Sequence, residues 1–469
     1  MPHSPGGALF RAFEYASTYL DELNNRPVGA TASLEQLRSR LGRDLQQESL
    51  EPDQVIAELI AATEGGHLGS AGPRFFAWVI GGSLTSALAA DWLTSTWDQN
   101  AALYACGPAA AVVEEIAGAW LKDILGLPPQ ASFAFTSGCQ LAHFTALAAA
   151  RHAVLRRVGW DVNRDGLFGA PPVRVITNEH RHGSVDRALR FLGFGMRNMI
   201  ALSADDEGRI RPEALQSALQ QSQSPTIVVL DAADLNIGAF DRFETLIPLA
   251  KSAGAWVHID GAFGMFARAS RSKRGYLAGA ELADSWATDG HKWLNVPFDS
   301  GLVFVRDREA HRAAMTLNAA YIASNDQARD QIDWNPEWSR RGRGFAVYAA
   351  LRELGRAGLE ELIDRTCDLA RSMVDRIGAL PGVEIIWRPH LNQGLVRFLD
   401  TRSGAGDTAH DLRTRAVIEA INATGEAFFS SSVYRGKATM RVSVVNWRTS
   451  QTDVDRTVAA VAQVLGRLG

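Results

Sequence analysis

The first eighty residues space their apolar side chains at the interval expected of amphipathic helices. The pattern predicts helices over residues 10–23 and 33–41, and a third helix that opens at Glu51-Pro52-Asp53. Such an arm has little core of its own, so we expect it to pack on another surface, such as a partner subunit. Residues 1–80 are therefore assigned to an N-terminal helical dimerisation segment.

From residue 131 onward, short apolar runs alternate with helical stretches. We expect strands at 133–135, 173–177, 227–230, 256–259 and 301–305. Between them we expect helices at 141–154 and 246–253, and a further helix that ends at residue 192. Strands that alternate with helices are typical of an α/β fold with a parallel sheet. Two further helices, 84–92 and 109–125, precede this region, and residues 81–345 are assigned to one large domain.

The last part of the chain has a different pattern. An amphipathic stretch at 345–377 is followed by expected strands at 383–387, 395–398, 427–430 and 440–445. Helices are expected at 412–423 and from residue 450, where Ser450 to Asp453 resembles a capping box. Residues 346–469 are therefore assigned to a small α+β C-terminal domain.

Composition narrows the function classes. The chain has 469 residues, 46% of them hydrophobic and 21% charged, and its formal net charge of -4 argues against a nucleic-acid partner. Its three cysteines, Cys106, Cys139 and Cys367, are too few and too scattered for a disulfide framework or a zinc site, so we expect no metal and a reducing cytoplasm. We see no signal peptide, and the richest apolar run, 75–93, is interrupted by small polar residues and is not expected to cross a membrane.

Two short stretches carry the candidate chemistry. Lys292 follows His291 and precedes a Trp-Leu pair, and upstream an apolar run ends in Asp260. We interpret Lys292 as the Schiff-base lysine of a pyridoxal phosphate (PLP) enzyme, because a lysine in a partly apolar pocket loses some of its preference for the ammonium form. We interpret Asp260 as the acid that keeps the pyridine nitrogen protonated, which makes the ring an electron sink. Either residue alone is explained as well by an exposed lysine or a strand-end acid; the pair, in this order, favours the cofactor.

Two loops at strand ends add to this interpretation. The turn Ser137-Gly138-Cys139-Gln140 lies between a predicted strand and a predicted helix, where backbone N–H groups are able to bind a phosphate. His182 follows another strand, and its imidazole is a candidate to lie flat on the cofactor ring. Taken separately, these residues are better explained by an ordinary βα turn and by a polar loop histidine.

Together the motifs resemble those of the group II PLP-dependent amino-acid decarboxylases, the family of aromatic amino-acid, glutamate, histidine and diaminobutyrate decarboxylases. The similar stretches are His291-Lys292-Trp293-Leu294, His258-Ile259-Asp260-Gly261-Ala262, His182-Gly183-Ser184-Val185-Asp186-Arg187-Ala188 and Asn236-Ile237-Gly238-Ala239-Phe240-Asp241. The resemblance implies that Lys292 binds the cofactor, Asp260 pairs with its ring nitrogen and His182 stacks on its ring. It also implies cofactor contacts for Ala262, Asn236, His291 and the turn Ser137, Gly138, Cys139, Gln140.

The resemblance also implies an architecture. We expect PLP fold type I, with a parallel-rich seven-stranded sheet in the large domain, a small C-terminal domain, and a homodimer whose active site lies at the interface. It places Phe75, Trp78, Val79, Ile80 and Gly81 near the substrate, with Asn100 and Ala102 reaching in from the partner chain. The expected reaction is decarboxylation of an L-amino acid to its amine and carbon dioxide, with no nucleic acid or membrane involved.

Several departures keep alternatives open. Residues 315–343 are a candidate active-site lid, on which many family members carry a proton-donating Tyr; this chain offers Tyr321 at its start and Asp326, Asp330, Asp333 and Trp334 further on. Relatives without that Tyr tend to be oxygen-using aldehyde synthases, and an aminotransferase, a carbon–carbon lyase or a PLP-binding protein without activity are further alternatives. Asp234 replaces a frequent Thr. Apolar pocket candidates favour an aromatic or hydrophobic substrate, whereas Arg341 and Arg343 suit an acidic one.

Overall fold

The computed structural model describes residues 6–316 and 328–468. Its helices are α1 (Gly6–Glu22), α2 (Leu34–Leu41), α3 (Pro52–Thr63), α4 (Thr85–Trp97), α5 (Pro108–Ile124), α6 (Cys139–Arg156), α7 (Val162–Asp165), α8 (Gly183–Phe191), α9 (Pro212–Gln220), α10 (Phe243–Ser252), α11 (Arg308–Met315), α12 (Gly344–Gly378), α13 (Asp407–Ala423) and α14 (Gln451–Leu468). Its strands are β1 (Ser132–Thr136), β2 (Arg174–Asn178), β3 (Met199–Leu202), β4 (Thr226–Asp231), β5 (Trp256–Asp260), β6 (Ser285–Asp289), β7 (Gly301–Val305), β8 (Val383–Trp387), β9 (Gln393–Phe398), β10 (Ser430–Tyr434) and β11 (Lys437–Ser443).

A seven-stranded sheet with the order β1-β7-β6-β5-β4-β2-β3 forms the centre of the larger part of the chain. β7 runs antiparallel to both β1 and β6, and the other neighbouring pairs are parallel. Every residue of β1, β2, β4, β5, β6 and β7 is buried. Helix α6, whose inner face is lined by alanines, packs on this sheet and forms its main core. Small side chains allow close packing of the helix on the strands.

A four-stranded antiparallel sheet, β10-β11-β9-β8, forms a second core. Apolar residues of α13 and α14 pack with it, including Val417, Ile421, Val454 and Val461. The predicted small α+β domain therefore has its own hydrophobic core.

The chain divides into two compact units. One comprises residues 1–80, 369–388 and 394–469, and the other comprises residues 81–368 and 389–393. These units differ from the three predicted segments, because residues 1–80 group with the C-terminal part and residues 346–368 group with the large sheet. Helix α12 contains the change of unit, and its backbone is interrupted at Gly355, which has a φ of 58°.

Most predicted elements are present with small shifts in their ends, and a few were missed. The predictions gave no strand at β6, no strand at β3 and no helix at α9. They also put a strand at 427–430, whereas β10 begins at Ser430. Strand β6 reads Ser-Trp-Ala-Thr-Asp, and this sequence lacks the continuous apolar run by which its buried neighbours were recognised. Among the described residues, no helix has the length and apolar character needed to span a bilayer.

Candidate active site

Strands β5 and β6 bring Asp260 and Lys292 to one edge of the sheet. The two strands are parallel neighbours, with Asp260 opposite Ala287, and both run their carboxyl ends to the same edge. Asp260 is the last residue of β5, and Lys292 lies three residues beyond the end of β6. A series of contacts connects the two groups, from Lys292 to Asp289 at 3.0 Å, from Asp289 to the Cys139 N–H at 2.6 Å, from Cys139 Sγ to His143 at 3.4 Å and from His143 to Asp260 at 3.3 Å.

The ammonium group of Lys292 is paired with an acid that the sequence interpretation did not anticipate. Lys292 Nζ lies 3.0 Å from Asp289 Oδ2. Burial on its own lowers the pKa of Lys292, but the charge and hydrogen bond of Asp289 outweigh it, so that the pKa is raised. The expectation that an apolar pocket weakens the ammonium form is therefore wrong for the cofactor-free chain, and the cause is Asp289.

Asp260 is held by two donors. His143 Nε2 lies 3.3 Å from one carboxylate oxygen, and the backbone N–H of Ala262 donates to the other at 3.1 Å. Burial favours the protonated acid, but His143, Lys292 and His182 outweigh it and lower the pKa of Asp260. Asp260 is therefore an ionised carboxylate, the form that is able to pair with a protonated ring nitrogen.

His182 is positioned at the start of a helix. It is the N-cap of α8, where its Nδ1 accepts from the Ser184 N–H at 3.2 Å and lies 2.7 Å from Ser184 Oγ. Partial burial lowers the pKa of His182, and Asp260 and Lys292 both act on it, so the ring belongs to the same group of side chains. Its capping contacts fix one edge of the imidazole and leave a face for stacking.

The turn before α6 has the features of an anion site. Its N-cap is Gly138, and no N-cap side chain closes the first turn of this 18-residue helix. A Cβ on Gly138 would lie 3.4 Å from the His291 ring and 3.8 Å from Asp289, so the glycine keeps the space between them open. The Cys139 N–H donates to Asp289 Oδ1 at 2.6 Å, which places Asp289 between the turn and Lys292.

Comparison with known proteins identifies the family of the chain. The pyridoxal-dependent decarboxylase conserved domain matches residues 35–399. The chain belongs to the pyridoxal-dependent decarboxylase family. It is accordingly a PLP-dependent carboxy-lyase, and PLP is its cofactor.

Individual relatives share most of their length with this decarboxylase. The aromatic-L-amino-acid decarboxylase of Bacillus atrophaeus is 26% identical over 453 residues, which cover 95% of this chain and 92% of the relative. The L-2,4-diaminobutyrate decarboxylase of Rhizobium meliloti (strain 1021) is 30% identical over 390 residues, covering 81% and 76%. The crystal structure of Oryza sativa TDC with PLP and tryptamine has a TM-score of 0.93 at 23% identity, covering 100% of this chain and 99% of that one. The architecture is the predicted PLP fold type I.

The residues of the decarboxylase suit the cofactor. The amine of Lys292, the carboxylate of Asp260, the ring of His182 and the glycine turn before α6 are the donor set that an aldehyde, a ring nitrogen, an aromatic face and a phosphate require. His291 is buried beside this turn, and its Nδ1 accepts from the Ser300 N–H at 3.1 Å. Burial lowers the pKa of His291, so it is a neutral ring next to Asp289.

Asp234 and Asn236 lie together in the loop after β4. Asp234 accepts backbone hydrogen bonds from Asn236 at 2.8 Å, Ile237 at 3.3 Å and Ala239 at 2.8 Å. Burial raises the pKa of Asp234, against these backbone bonds. Asp234, which stands where many family members have Thr, therefore orders its own loop. Its hydrogen bond from the Asn236 N–H holds the backbone of Asn236 in place.

Gly81 lies directly against the cofactor lysine. A Cβ at this position would lie 2.1 Å from the carbonyl oxygen of Lys292, and the neighbouring Gly82 N–H donates to Asn295 Oδ1 at 2.9 Å.

Asn100 and Ala102 have different neighbours within the chain. Asn100 Oδ1 accepts from the N–H groups of Ala102 at 3.1 Å and Arg340 at 3.2 Å. Their expected contribution to a partner's site remains a prediction.

The other substrate candidates belong to the unit that contains the small sheet. Phe75 and Val79 are buried there, Ile80 is half-buried, and Trp78 is 47% exposed. Trp78 packs in a tilted arrangement near Phe75 and Phe428, with ring centroids 5.9 and 6.2 Å away. Trp78 is therefore the member of this set that keeps a large apolar surface available.

The arginines proposed for an acidic substrate are already paired. Arg341 binds Asp91 and Ser95, and Arg343 binds Asp299 and Glu337. Both interactions use the guanidinium groups that the sequence interpretation left for an anion. The predicted lid residues Tyr321 and Asp326 lie outside the described residues; of the rest, Asp330 accepts from the Tyr104 N–H at 2.7 Å and Trp334 is buried.

Three site residues were missed from the sequence. His143 stands in the apolar helix α6, Asp289 was taken for part of a turn, and Asp231 was taken for a loop residue. Asp231 lies opposite Asp260 in the sheet, and its Oδ2 is buried with no hydrogen bond among the described residues. Burial, followed by Asp241, raises the pKa of Asp231 well above its usual value. An acid that directly ends an apolar strand was the available signal for Asp231, whereas β6 has no continuous apolar run and gave no such signal for Asp289.

Proposed function

We propose that this decarboxylase removes the α-carboxylate of an L-amino acid with an apolar, preferably aromatic, side chain and releases the amine and carbon dioxide. The observation that carries the proposal is the convergence of Lys292, Asp260 and His182, each of which alters the pKa of another. Perturbed groups that gather at a strand-end edge are the usual mark of a catalytic site. We further propose that the enzyme acts as a cytoplasmic homodimer.

The chain's own residues have distinct roles in this proposal. PLP, when bound, supplies the electron sink that stabilises the charge left by the departing carboxylate. Lys292 would hold the cofactor through its side-chain amine. Asp260 holds the proton of the ring nitrogen, and its two donors, His143 and the Ala262 N–H, fix the direction of its carboxylate. His182 supports the ring face, and orientation of this kind is the protein's main contribution to rate.

The substrate preference rests on the available surfaces. Trp78 is exposed on the unit that carries the predicted substrate residues, whereas Arg341 and Arg343 are occupied by acids. A relative that covers nearly the whole chain is named for aromatic L-amino acids. A smaller polar substrate, as in the name of the diaminobutyrate relative, is the competing choice.

The homodimer is supported by the N-terminal helices. Helices α1, α2 and α3 contain no buried residue. Four of their large apolar side chains are at least half exposed, namely Leu9, Phe10, Phe13 and Leu59. Apolar side chains left exposed on adjacent helices favour burial against a second surface. A second copy of the chain is the partner that we propose.

A screen of the purified enzyme tests the reaction. We expect carbon dioxide release from aromatic L-amino acids in the presence of PLP, with no stoichiometric oxygen uptake. Oxygen consumption with release of ammonia and peroxide would instead identify an aldehyde synthase. Product without carbon dioxide would identify an aminotransferase or a carbon–carbon lyase.

Replacement of the lysine tests the site. Lys292→Ala should abolish both turnover and the visible absorbance of covalently bound cofactor, because Lys292 is the amine that the proposal assigns to the cofactor aldehyde. Lys273→Ala, outside the site, is the matched control and should leave both unchanged. Normal turnover by Lys292→Ala would refute the assignment.

A further inference from the structure

A row of close polar contacts runs from Trp256 to Asp260. Trp256, His258 and Asp260 alternate along β5, so their side chains lie on one face of the sheet. His143 on α6 and Ser285 at the start of β6 fill the spaces between them. The contacts are Trp256 Nε1 to Ser285 Oγ at 2.9 Å, Ser285 Oγ to His258 Nδ1 at 2.9 Å, His258 Nε2 to His143 Nδ1 at 2.9 Å, and His143 Nε2 to Asp260 Oδ2 at 3.3 Å.

The two ends of this row fix its direction. The indole of Trp256 is only a donor, and an ionised carboxylate is only an acceptor. Asp260 therefore requires a proton on Nε2 of His143. A neutral His143 then accepts at Nδ1, which requires His258 to donate from Nε2 and to accept from the Ser285 hydroxyl at Nδ1.

The number of protons agrees with neutral rings. One indole N–H, one hydroxyl and two neutral imidazoles supply one proton for each of the four contacts. Both imidazoles are fully buried, where an added charge would be costly. Burial, the largest cause, lowers the pKa of His258 to about 3, which agrees with an uncharged His258.

We propose that Ser285, His258 and His143 are positioning residues whose one-directional hydrogen-bond relay, from Trp256 to Asp260, holds Asp260 ionised and aimed at the cofactor's ring nitrogen. This proposal rests on the site assigned under the proposed function. None of the three relay side chains needs to touch the substrate. Their effect reaches the cofactor through Asp260, because a hydrogen bond to the charged form favours that form.

A metal site is the main competing explanation. Cys139, His143 and Asp260 offer three potential ligand atoms within 4.8 Å of one another, and Cys139 Sγ lies 3.4 Å from His143 Nε2. A metal ion there would require His143 Nε2 to be unprotonated, whereas the relay requires it to carry a proton. The protonation of this one nitrogen therefore separates the two explanations.

The first test reads the relay directly in the cofactor-free protein. With ¹⁵N-labelled histidine, long-range ¹H–¹⁵N spectra should show His143 and His258 each protonated at Nε2 and bare at Nδ1. Ring assignments come from His143→Gln and His258→Gln. A His143 that is protonated at both nitrogens, or bare at Nε2, overturns the relay.

The second test acts on the far end of the relay. Ser285→Ala removes the hydroxyl that donates to His258, so we expect about tenfold weaker PLP binding by fluorescence titration, the effect of one hydrogen bond. Ser285→Thr keeps the hydroxyl and should restore both the affinity and the histidine tautomers. Equal affinity in wild type and Ser285→Ala overturns the proposal, as does failure of Ser285→Thr to differ from Ser285→Ala.

These readouts separate the relay from the reaction. Correct tautomers and weaker PLP binding in Ser285→Ala support the relay even if no amino acid loses carbon dioxide, in which case only the proposed function fails. Carbon dioxide release by an enzyme with the wrong tautomers refutes only the relay.

Discussion

At the scale of single residues, Asp289 has the largest influence on Lys292. Its carboxylate bonds the ammonium group through one oxygen and the Cys139 N–H through the other. The cofactor aldehyde reacts with the neutral amine, so this ion pair opposes capture of the cofactor while it preorganises the lysine.

Asp289→Asn should speed the covalent capture of PLP at neutral pH by about tenfold, the change expected when the neutral fraction of an amine rises by one order of magnitude. The sign follows from the structure, because Asp289 raises the pKa of Lys292 and its loss lowers that pKa. The Asn side chain keeps an oxygen for the Cys139 N–H. Stopped-flow absorbance across pH 6 to 9 (roughly the range in which a lowered lysine pKa becomes visible) measures the rate, and an unchanged profile would contradict the prediction.

Gly81 is a second residue whose identity is set by Lys292. Gly81→Ala would put a methyl group 2.1 Å from a backbone oxygen, which forces the backbone itself to move. We expect a loss of about 1–3 kcal/mol in the free energy of unfolding, together with weaker cofactor absorbance. Gly275→Ala is the matched control, since its Cβ would meet nothing within 4 Å, and denaturant titration compares the two variants.

At the scale of elements, the predictions succeeded where a strand or helix has a simple apolar pattern. β5 was recognised from its apolar run, and that run also located Asp260. β6 was missed because its polar Ser285, Thr288 and Asp289 are buried by hydrogen bonds rather than by apolar contacts. His143 was missed for a related reason: the residues that connect it to the site, His258 and Asp260, lie on β5, more than a hundred residues along the chain, and no local pattern indicates them.

Helix α11 shows how such buried polar contacts make stability depend on pH. His311 of this helix is buried between Ser132 Oγ at 2.8 Å and the Trp334 carbonyl at 3.0 Å, and burial, followed by Arg329, lowers its pKa to about 3. An unfolded histidine takes up a proton near pH 6.5, whereas the folded one does not until about pH 3. Its contribution to stability is therefore complete above pH 6.5 (roughly the unfolded pKa) and is lost as the pH falls.

His311→Gln should reduce the dependence of the free energy of unfolding on pH in this range. Between pH 6.5 and 5, the wild type should lose about 2 kcal/mol more stability than the variant, because only the wild type must exclude this proton. Pulse proteolysis in urea at several pH values measures the difference. Parallel profiles for the two proteins would show that His311 titrates alike in both states.

At the scale of the whole molecule, the family and the sheet were predictable, but the grouping of distant segments was not. The N-terminal residues form one compact unit with the C-terminal part, and such long-range grouping has no signature in local periodicity. The exposed apolar residues of α1 are accounted for by the proposed dimer, which local periodicity does not report either.

Phe10→Glu combined with Phe13→Glu should weaken the proposed dimer, because both rings are more than half exposed on α1 and a charge there cannot be buried without cost. Sedimentation velocity should show a shift from two chains towards one. Phe168→Glu, at a position that is 98% exposed, is the matched control and should leave the sedimentation coefficient unchanged. Identical behaviour of the double variant and the control would argue against a dimer built on α1.

Strand β5 also restricts how this protein is able to change over evolution. Its indole, its imidazole and its carboxylate occupy alternate positions, so the gain or loss of one residue between them would turn Asp260 and Trp256 towards opposite sides of the sheet. A substitution elsewhere changes one side chain at a time, whereas an insertion in β5 would separate Asp260 from the residues that hold it. Length variation among descendants of this sequence should therefore be found in the connecting loops, and these five positions should be inherited without insertion or deletion.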